Sequence, residues 1–196
     1  AIAGDGGTVD IGLQSLSGAM ERNDNILYIC YDNEAYMNTG IQGSSSTPMA
    51  AETTTTPAGK LVNNKDLIQI VMAHHVPYAA TASVANIPDL RKKLEKAKSV
   101  KGCRVLHIMS PCPTGWGYKM EKTVEVAREA MNSGAWVLLE YEGGKVKLGK
   151  KPKNLGDVDK YFSMQKRFKG IDDAKKEEIK EHLISRYEYL EKLASI

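Results

Sequence analysis

Short apolar runs alternate with amphipathic segments along the first 150 residues, and this alternation limits the possible folds more than any other feature. Continuous apolar runs of about 4–8 residues are typical of central strands in a parallel sheet. Helical patterns separate these runs and precede the first of them. The predicted strands are 26–31, 78–82, 104–109 and 136–141, and the predicted helices are 10–22, 66–74, 88–99 and 120–133. The alternation predicts an α/β fold with a mostly parallel sheet and helices on both faces.

The chain changes character toward its C-terminus and is charged and helical from Asp157. A hairpin turn at Gly143-Gly144 leads into a short final strand. Further on, apolar residues recur at helical spacing among Lys and Glu over 172–193. That pattern predicts a C-terminal helix that packs on its own domain or on a partner subunit. We therefore predict an α/β domain at 1–150 and a helical C-terminal extension at 151–196.

The composition is that of an ordinary globular protein, with 42% hydrophobic and 26% charged residues. Lys and Arg exceed Asp and Glu by only 27 to 24, and their interleaving predicts no nucleic acid partner. No apolar run reaches the roughly 18 residues of a membrane span, so we predict no membrane partner. Three cysteines are too few for a disulfide framework, and Cys30 and Cys103, inside apolar runs, are expected to be inert core residues.

The sequence Gly4-Asp5-Gly6-Gly7 stands after a predicted strand end and before a predicted helix. Glycines there let the backbone approach a phosphate, and a helix N-terminus carries partial positive charge; a simple tight turn explains the four residues equally well. Asn33 ends the next strand, 28 residues after Asp5 (33 − 5). A strand–helix–strand crossover of about that length brings neighbouring strand ends together. Asp5 and Asn33 can therefore share one ion.

An ion shared in this way suits Mg²⁺, which prefers about six oxygen ligands and commonly keeps phosphate oxygens among them. The Asp5 carboxylate, the Asn33 amide oxygen, one main-chain carbonyl and two diphosphate oxygens would nearly complete that shell. A Gly-Asp-Gly sequence followed at this interval by Asn resembles the thiamine diphosphate fingerprint. The fingerprint normally ends in two asparagines, whereas this chain has Asp32-Asn33.

The segment 32–64 is long, rich in Gly, Ser, Thr and Pro, and has no helix or strand pattern. Loops of this length are usually functional or disordered, and a disordered linker is one interpretation. The apolar residues Tyr36, Met37 and Met49 favour a packed loop instead. Its place directly after a strand also favours a ligand site, because ligands of open α/β sheets bind at the carboxyl ends of strands.

Longer motifs narrow the family. The sequences YDNEAYMNTGIQ at 31–42, SSSTP at 44–48 and SPCPTGW at 110–116 resemble the β subunit of pyruvate:ferredoxin oxidoreductase. The tail residues 161–168, beginning with Tyr-Phe and ending with Gln-Lys-Arg-Phe, resemble it too. The resemblance covers essentially the whole chain, and it implies a thiamine diphosphate-binding fold.

This resemblance implies roles for the polar motifs. Asp5 and the Asn33 side chain would bind Mg²⁺, and the main-chain carbonyl of Ala35 would be the third protein ligand. The glycines of the first motif would bind the cofactor by lining its diphosphate: Gly4, Gly6 and Gly7.

The family resemblance also implies two further sites. Asn38, in the catalytic role, and Thr39 would lie beside the reacting end of the cofactor; a loop-capping amide is the alternative for Asn38. Cys112 would be one of four thiolate ligands of a 4Fe–4S cluster, although a lone cysteine is more often a small core residue. The family's other three cluster cysteines lie upstream of the Gly-Asp-Gly motif, so we expect a segment outside this chain to carry them.

The implied activity is oxidative decarboxylation of a 2-oxoacid, with pyruvate first, yielding acyl-CoA and CO₂. Electrons would pass through 4Fe–4S clusters to ferredoxin. The implied partners are the α, γ and δ type subunits, ferredoxin, CoA and a small 2-oxoacid, in the cytoplasm, with the cofactor-activating glutamate coming from a partner subunit. The alternatives are a sibling enzyme for branched 2-oxoacids, 2-oxoglutarate or oxalate, a non-redox thiamine decarboxylase or synthase, and a non-catalytic scaffold subunit.

Overall fold

The computed structural model describes all 196 residues and contains one six-stranded sheet. The strands are β1 (Ile2–Gly4), β2 (Leu27–Asp32), β3 (Tyr78–Ser83), β4 (Arg104–Met109), β5 (Leu139–Glu142) and β6 (Lys145–Leu148). Their order in the sheet is β1-β2-β4-β3-β5-β6. The first four pair in parallel, while β5 runs antiparallel to β3 and β6 antiparallel to β5. The predicted α/β fold with a mostly parallel sheet is confirmed.

Eight α-helices connect or cover the strands. They are α1 (Asp5–Val9), α2 (Leu13–Glu21), α3 (Leu67–Ala73), α4 (Ile87–Ser99), α5 (Pro113–Trp116), α6 (Thr123–Ser133), α7 (Asp159–Ser163) and α8 (Asp173–Ala194). Short 3-10 turns occupy Met120–Lys122 and Lys166–Phe168. The ends follow the sequence signals: the Asn86 side chain caps α4, and Gly134 ends α6 with φ 83°.

The prediction of one helix over 10–22 was wrong at its start. Helix α1 begins at Asp5, inside the glycine-rich motif, and the chain breaks between Val9 and Leu13 before α2 continues. A Cβ atom on Gly12 would lie 2.1 Å from the Gly7 carbonyl oxygen. Only glycine permits that close approach, so the break allows the two helical segments to pack against each other.

The last predicted strand, 136–141, also begins later than predicted. The Thr81 hydroxyl donates to the Val137 carbonyl (2.6 Å) and accepts from the Leu139 amide (2.8 Å). This side chain takes the place of the backbone partner that β3 would otherwise provide. Regular pairing with β3 therefore starts only at Glu140.

Helices pack on both faces of the sheet. Ala79 and Val105 belong to the cluster that includes α3, whereas the adjacent residues Ala80 and Leu106 belong to the cluster that includes Ala97 of α4. Because side chains alternate along a strand, these clusters lie on opposite faces.

The C-terminal helix α8 packs on the same core as the sheet. Tyr187 and Leu190 join the cluster that contains α3, and Ile179 and Leu183 join a second cluster with α6 and α7. This contact matches the prediction of a helix packed on its own domain, while the division into parts 1–150 and 151–196 stays a prediction. No helix has the length and apolar character that crossing a bilayer requires.

Candidate functional site

The ends of β1 and β2 bring Asp5 and Asn33 together, as the crossover spacing predicts. Gly4 pairs with Tyr31 in parallel register, so the next residues of both strands emerge at one edge of the sheet. Asp5 is only 1% exposed. One end atom of the Asn33 amide lies 3.1 Å from Asp5 Oδ1 and 2.7 Å from the Ala35 carbonyl oxygen. The three residues therefore meet at one point.

The chemistry of this meeting point depends on which amide atom faces it. With the Asn33 nitrogen inward, its NH₂ group donates to Asp5 Oδ1 and to the Ala35 carbonyl. With the oxygen inward, three oxygens converge, and a proton on Asp5 or a bound cation would be needed to stabilise them. Oxygen ligands around Mg²⁺ at about 2.1 Å lie roughly 3 Å apart in an octahedron. The donor set and its spacing fit Mg²⁺.

The electrostatics of Asp5 also suit a cation. Burial and, next, the neighbouring Asp32 carboxylate raise the pKa of Asp5 to about 7, against a hydrogen bond from Ser44 that lowers it. The Ser44 hydroxyl donates to Asp5 Oδ2 at 2.5 Å. A divalent ion at Oδ1 would restore the ionised form, because an opposite charge favours it.

Asp32 has a supporting role. Its Oδ2 lies 2.6 Å from His107 Nε2, and its Oδ1 accepts from the Glu34 amide at 2.8 Å. Both oxygens of Asp32 therefore already have protein partners. His107 was missed in the sequence analysis, although a histidine inside the apolar run of β4 signals a buried side chain that needs a polar partner.

The segment that follows is held in an uncommon backbone conformation. Glu34 has φ 63°, a left-handed value that is rare for a residue with a side chain. Thr47 Oγ1 donates to the Glu34 carbonyl (2.6 Å), and Trp116 Nε1 donates to the Asn33 carbonyl (2.8 Å). These bonds turn the Asn33 side chain and the Ala35 carbonyl toward the same point.

The long segment 32–64 is a packed loop, which disfavours the disordered linker. Ser44, Thr47 and Met49 are buried. The Lys60 ammonium group donates to three carbonyl oxygens of the loop, at distances of 2.7 to 3.4 Å. Burial lowers the pKa of Lys60. Lys60 thus fixes the loop that carries the Ser44 hydroxyl to Asp5.

The structure shows no hydrogen bond between Asp5 and either Asn38 or Thr39. Both are exposed and lie on the turn between Tyr36 and Gln42, which form an antiparallel bridge. The Thr39 hydroxyl donates to Gln42 Oε1 at 2.6 Å. Their proposed places beside the cofactor stay predictions.

The glycines of the first motif differ in their surroundings. A Cβ on Gly6 would overlap the Tyr36 ring at 2.2 Å, whereas one on Gly7 would meet only Ala3 Cβ, at 3.8 Å, and one on Gly4 would meet Tyr31 at 3.6 Å. Gly6 is thus required by the approach of Tyr36. Gly4 and Gly7 have no comparable steric need within this chain.

Cys112 stands at the end of β4 and caps the short helix α5. Its sulfur accepts from the Gly115 amide at 3.5 Å, and it is half-buried. Trp116, on the same helix, contacts the Asn33 carbonyl. The short helix that Cys112 caps therefore packs directly on the loop that holds Asn33.

The cysteines of this chain are too few and too scattered to hold an iron–sulfur cluster without ligands from elsewhere. Cys30 and Cys103 are buried in the hydrophobic core, and no three side chains of His, Cys, Asp or Glu gather to hold a metal. A 4Fe–4S cluster ordinarily takes four thiolates. Cys112 is the one of the three cysteines that is not fully buried, and its part in a cluster stays a prediction.

Comparison with known proteins identifies the family. The family model described as "Thiamine pyrophosphate enzyme, C-terminal TPP binding domain" matches residues 1–108. The chain belongs to this family. The matched residues include the complete Asp5, Asn33 and Ala35 site and end in β4. The strands β1 to β4 thus lie in the part of the chain that matches a thiamine pyrophosphate-binding domain, and the metal and diphosphate roles of these residues stay predictions.

Curated relatives agree with the longer motifs. The chain is 50% identical to pyruvate synthase subunit PorB of Methanothermobacter marburgensis, an alignment that covers 94% of this chain and 66% of that protein. It is 47% identical to ketoisovalerate oxidoreductase subunit VorB of Pyrococcus abyssi, covering 99% and 65%. The chain therefore spans just under two thirds of the length of these relatives. The resemblance that the sequence motifs predicted is confirmed.

A solved structure is also similar. It is the 2-oxoglutarate:ferredoxin oxidoreductase from Magnetococcus marinus with 2-oxoglutarate, coenzyme A and succinyl-CoA bound. The match has a TM-score of 0.55 and 27% identity, and covers 57% of this chain and 38% of that one. The names of these proteins refer to three different 2-oxoacids: pyruvate, ketoisovalerate and 2-oxoglutarate. The pyruvate and ketoisovalerate relatives have nearly the same sequence identity to this chain.

Proposed function

We propose that this chain is the thiamine diphosphate- and magnesium-binding part of the β subunit of a 2-oxoacid:ferredoxin oxidoreductase. The enzyme would decarboxylate a 2-oxoacid oxidatively, form acyl-CoA from CoA, and pass electrons through 4Fe–4S clusters to ferredoxin. The observation that carries the proposal is the convergence of Asp5, Asn33 and the Ala35 carbonyl in a chain whose relatives are pyruvate synthase and ketoisovalerate oxidoreductase subunits.

In this proposal the chain holds and orients the cofactor. Asp5, Asn33 and the Ala35 carbonyl would bind Mg²⁺, and Ser44 would keep the Asp5 carboxylate aimed at the ion through its 2.5 Å hydrogen bond. The glycines of the first motif would line the diphosphate. Thiamine diphosphate, when bound, supplies the carbanion chemistry of decarboxylation, and the protein supplies binding, orientation and electrostatics.

Two more residues have proposed roles at the reacting end. Asn38 would offer its amide to the substrate, with Thr39 beside it, and the exposure of Asn38 on the turn leaves its side chain accessible to a ligand. Cys112 would contribute one thiolate to a cluster completed by three cysteines from outside this chain. Its contact with the Asn33 loop through Trp116 supports a cluster near the cofactor.

The proposed substrate is pyruvate, with a branched 2-oxoacid as the second candidate. The 50% identity to a pyruvate synthase subunit favours pyruvate, and 47% identity to a ketoisovalerate oxidoreductase subunit keeps the second candidate open. Retention of Asp5 and Asn33 disfavours a non-catalytic scaffold, and Cys112 disfavours a non-redox thiamine enzyme. The α, γ and δ type partners, ferredoxin and the cytoplasmic location stay predictions.

One assay tests the proposal. In the intact complex, viologen reduction is measured with CoA and each of pyruvate, 2-oxoisovalerate, 2-oxoglutarate and oxalate. We expect CoA-dependent reduction, fastest with pyruvate. The control is an Asp24→Asn complex, altered at a surface carboxylate that pairs with Arg22, which should match the natural enzyme. Absence of reduction with every 2-oxoacid, in a complex loaded with thiamine diphosphate and clusters, would refute the proposal.

A further inference from the structure

Arg167 is a buried cation from the C-terminal part of the chain that reaches the loop of Asn33. It lies in the 3-10 turn Lys166–Phe168 and is 5% exposed. Its Nη2 lies 2.7 Å from Glu34 Oε2, and its guanidinium carbon lies 3.6 Å from the centre of the Trp116 ring. Arg167 therefore contacts both groups that border Asn33, one by charge and one by stacking.

Several neighbours hold Arg167 in this place. Its Nε donates to Gln165 Oε1 at 2.8 Å, and its main-chain carbonyl accepts from the Glu52 amide at 2.8 Å. The ring of Phe168 lies 4.9 Å from the guanidinium carbon. A planar guanidinium fixed by stacking and by its own hydrogen bonds loses little entropy when it pairs with a carboxylate. Arg167 is thus pre-organised for Glu34.

Glu34 needs this partner. It is 8% exposed and has the left-handed φ of 63°. Its Oε2 lies 2.7 Å from the Arg167 guanidinium, and no other donor reaches that oxygen. A buried carboxylate without a compensating charge is strongly unfavourable. Without Arg167, Glu34 would turn toward water.

We propose that Arg167 is a positioning residue for the magnesium site: by pairing with Glu34 and stacking on Trp116, it holds the Asn33 amide and the Ala35 carbonyl at Asp5. The inference rests on the proposed function. Glu34 lies between Asn33 and Ala35 in sequence, so a change in the backbone angles of Glu34 moves both of these neighbours. Trp116 donates to the Asn33 carbonyl at 2.8 Å, so a loosened indole releases the same segment.

A purely structural role predicts a different outcome. Arg167 also borders the aromatic side chains of Tyr161 and Phe168, and its loss could lower the stability of that cluster alone. In that case the metal dependence of cofactor binding would stay unchanged in the folded variant. A positioning role predicts a change in metal dependence that exceeds any change in stability.

The experiment uses the intact complex, stripped of Mg²⁺ and thiamine diphosphate with a chelator. Equilibrium dialysis with thiamine diphosphate then gives the Mg²⁺ concentration at which half of the sites are filled. Arg167→Met should raise this concentration about 10- to 100-fold, the usual cost of losing a group that orients a metal ligand. Arg167→Lys, which keeps the charge, should recover part of the loss.

The matched control is Arg186→Met. Arg186 is likewise an arginine of the C-terminal part that pairs with an acidic residue of the first half, since its Nε lies 2.6 Å from Asp66 Oδ2. This pair joins α8 to the start of α3 and does not involve the Asn33 loop. Arg186→Met should leave the half-filling concentration within about twofold, as expected for a substitution that touches no metal ligand.

The outcomes separate the two proposals. An assembled Arg167→Met complex with the natural Mg²⁺ dependence would overturn the positioning role. If that variant does not assemble, Glu34→Gln decides, because it keeps the size of the side chain and removes the charge that Arg167 pairs with; an increase of several-fold in the half-filling concentration supports the role, and no change overturns it. A natural complex that binds thiamine diphosphate without needing Mg²⁺ would refute the proposed function itself.

Discussion

Gly6→Ala is the substitution in the first motif with the most clearly defined expected effect. The phenol ring of Tyr36 lies directly over Gly6, and its single hydroxyl hydrogen is shared between the Gly6 carbonyl (3.1 Å) and Asp10 Oδ2 (3.0 Å). An added Cβ would lie 2.2 Å from Tyr36 Cε1, far inside the roughly 3.5–4.0 Å of an ordinary carbon contact. The ring is partly exposed, so we expect it to swing outward.

The cost follows from the shared hydrogen bond that Tyr36 would lose. Because one of its acceptors is a carboxylate, it is worth about 1–3 kcal/mol. Alanine gains up to about 1 kcal/mol over glycine inside a helix, but Gly7→Ala gains the same, and its Cβ meets only Ala3 at 3.8 Å. The difference between the two variants is therefore about 1–3 kcal/mol, which is a difference in Tm of roughly 2–12 °C for a chain of this size.

Thermal unfolding of the metal-free protein, followed by circular dichroism, measures this difference. Gly6→Ala should have the lower Tm and Gly7→Ala a Tm equal to or above that of the natural protein. In a Tyr36→Ala background the extra cost of Gly6→Ala should vanish, because the overlapping ring is gone. Equal Tm values for Gly6→Ala and Gly7→Ala in the natural background would refute the assigned role of Tyr36.

Three further predictions follow from single side chains. The pKa of Asp5, raised to about 7 from 3.8, means that the native state binds the extra proton, so this group's contribution to stability falls as pH rises from about 4 to 7. Asp5→Asn should therefore make the metal-free protein more stable in urea unfolding at pH 8, by at most roughly 4 kcal/mol, yet abolish Mg²⁺-dependent binding of thiamine diphosphate; lower stability at pH 8 would contradict this. Thr81→Val should lower the free energy of unfolding by about 2–4 kcal/mol, because it leaves the buried Val137 carbonyl and Leu139 amide without partners; a loss below about 1 kcal/mol in urea unfolding would contradict it. Cys112→Ser should diminish the electron paramagnetic resonance signal of the cluster nearest the cofactor in the reduced complex, and an unaltered spectrum would remove Cys112 from the ligand set.

The meeting of Asp5 and Asn33 was predictable because it depends on general rules of parallel sheets. Strand periodicity placed the two residues at strand ends, and a crossover of that length pairs neighbouring strands. The structure pairs Gly4 with Tyr31, which places Asp5 and Asn33 at the same edge of the sheet. Asp5 and Asn33 both lie within residues 1–108, the part of the chain that the thiamine pyrophosphate enzyme family model matches.

The supporting pairs could not be predicted in the same way. His107 meets Asp32 and Arg167 meets Glu34 across long sequence separations, and neither pair follows from local periodicity. The late start of β5 could not be predicted either, because it depends on the Thr81 side chain accepting the hydrogen bond from the Leu139 amide that a backbone carbonyl would otherwise accept. Only His107, an isolated polar residue in an apolar strand, gave a local signal. Side-chain pairing across a fold is decided by packing rather than by pattern.

The most direct test of the magnesium site is a crystal structure of the intact complex with thiamine diphosphate and Mn²⁺ in place of Mg²⁺, using the anomalous signal to locate the metal. We predict one peak about 2.0–2.3 Å from Asp5 Oδ1, the Asn33 amide oxygen and the Ala35 carbonyl. The Asn33 amide must then present its oxygen rather than its nitrogen. A metal bound elsewhere, or one bound while the Asn33 nitrogen still faces Asp5, would contradict the account.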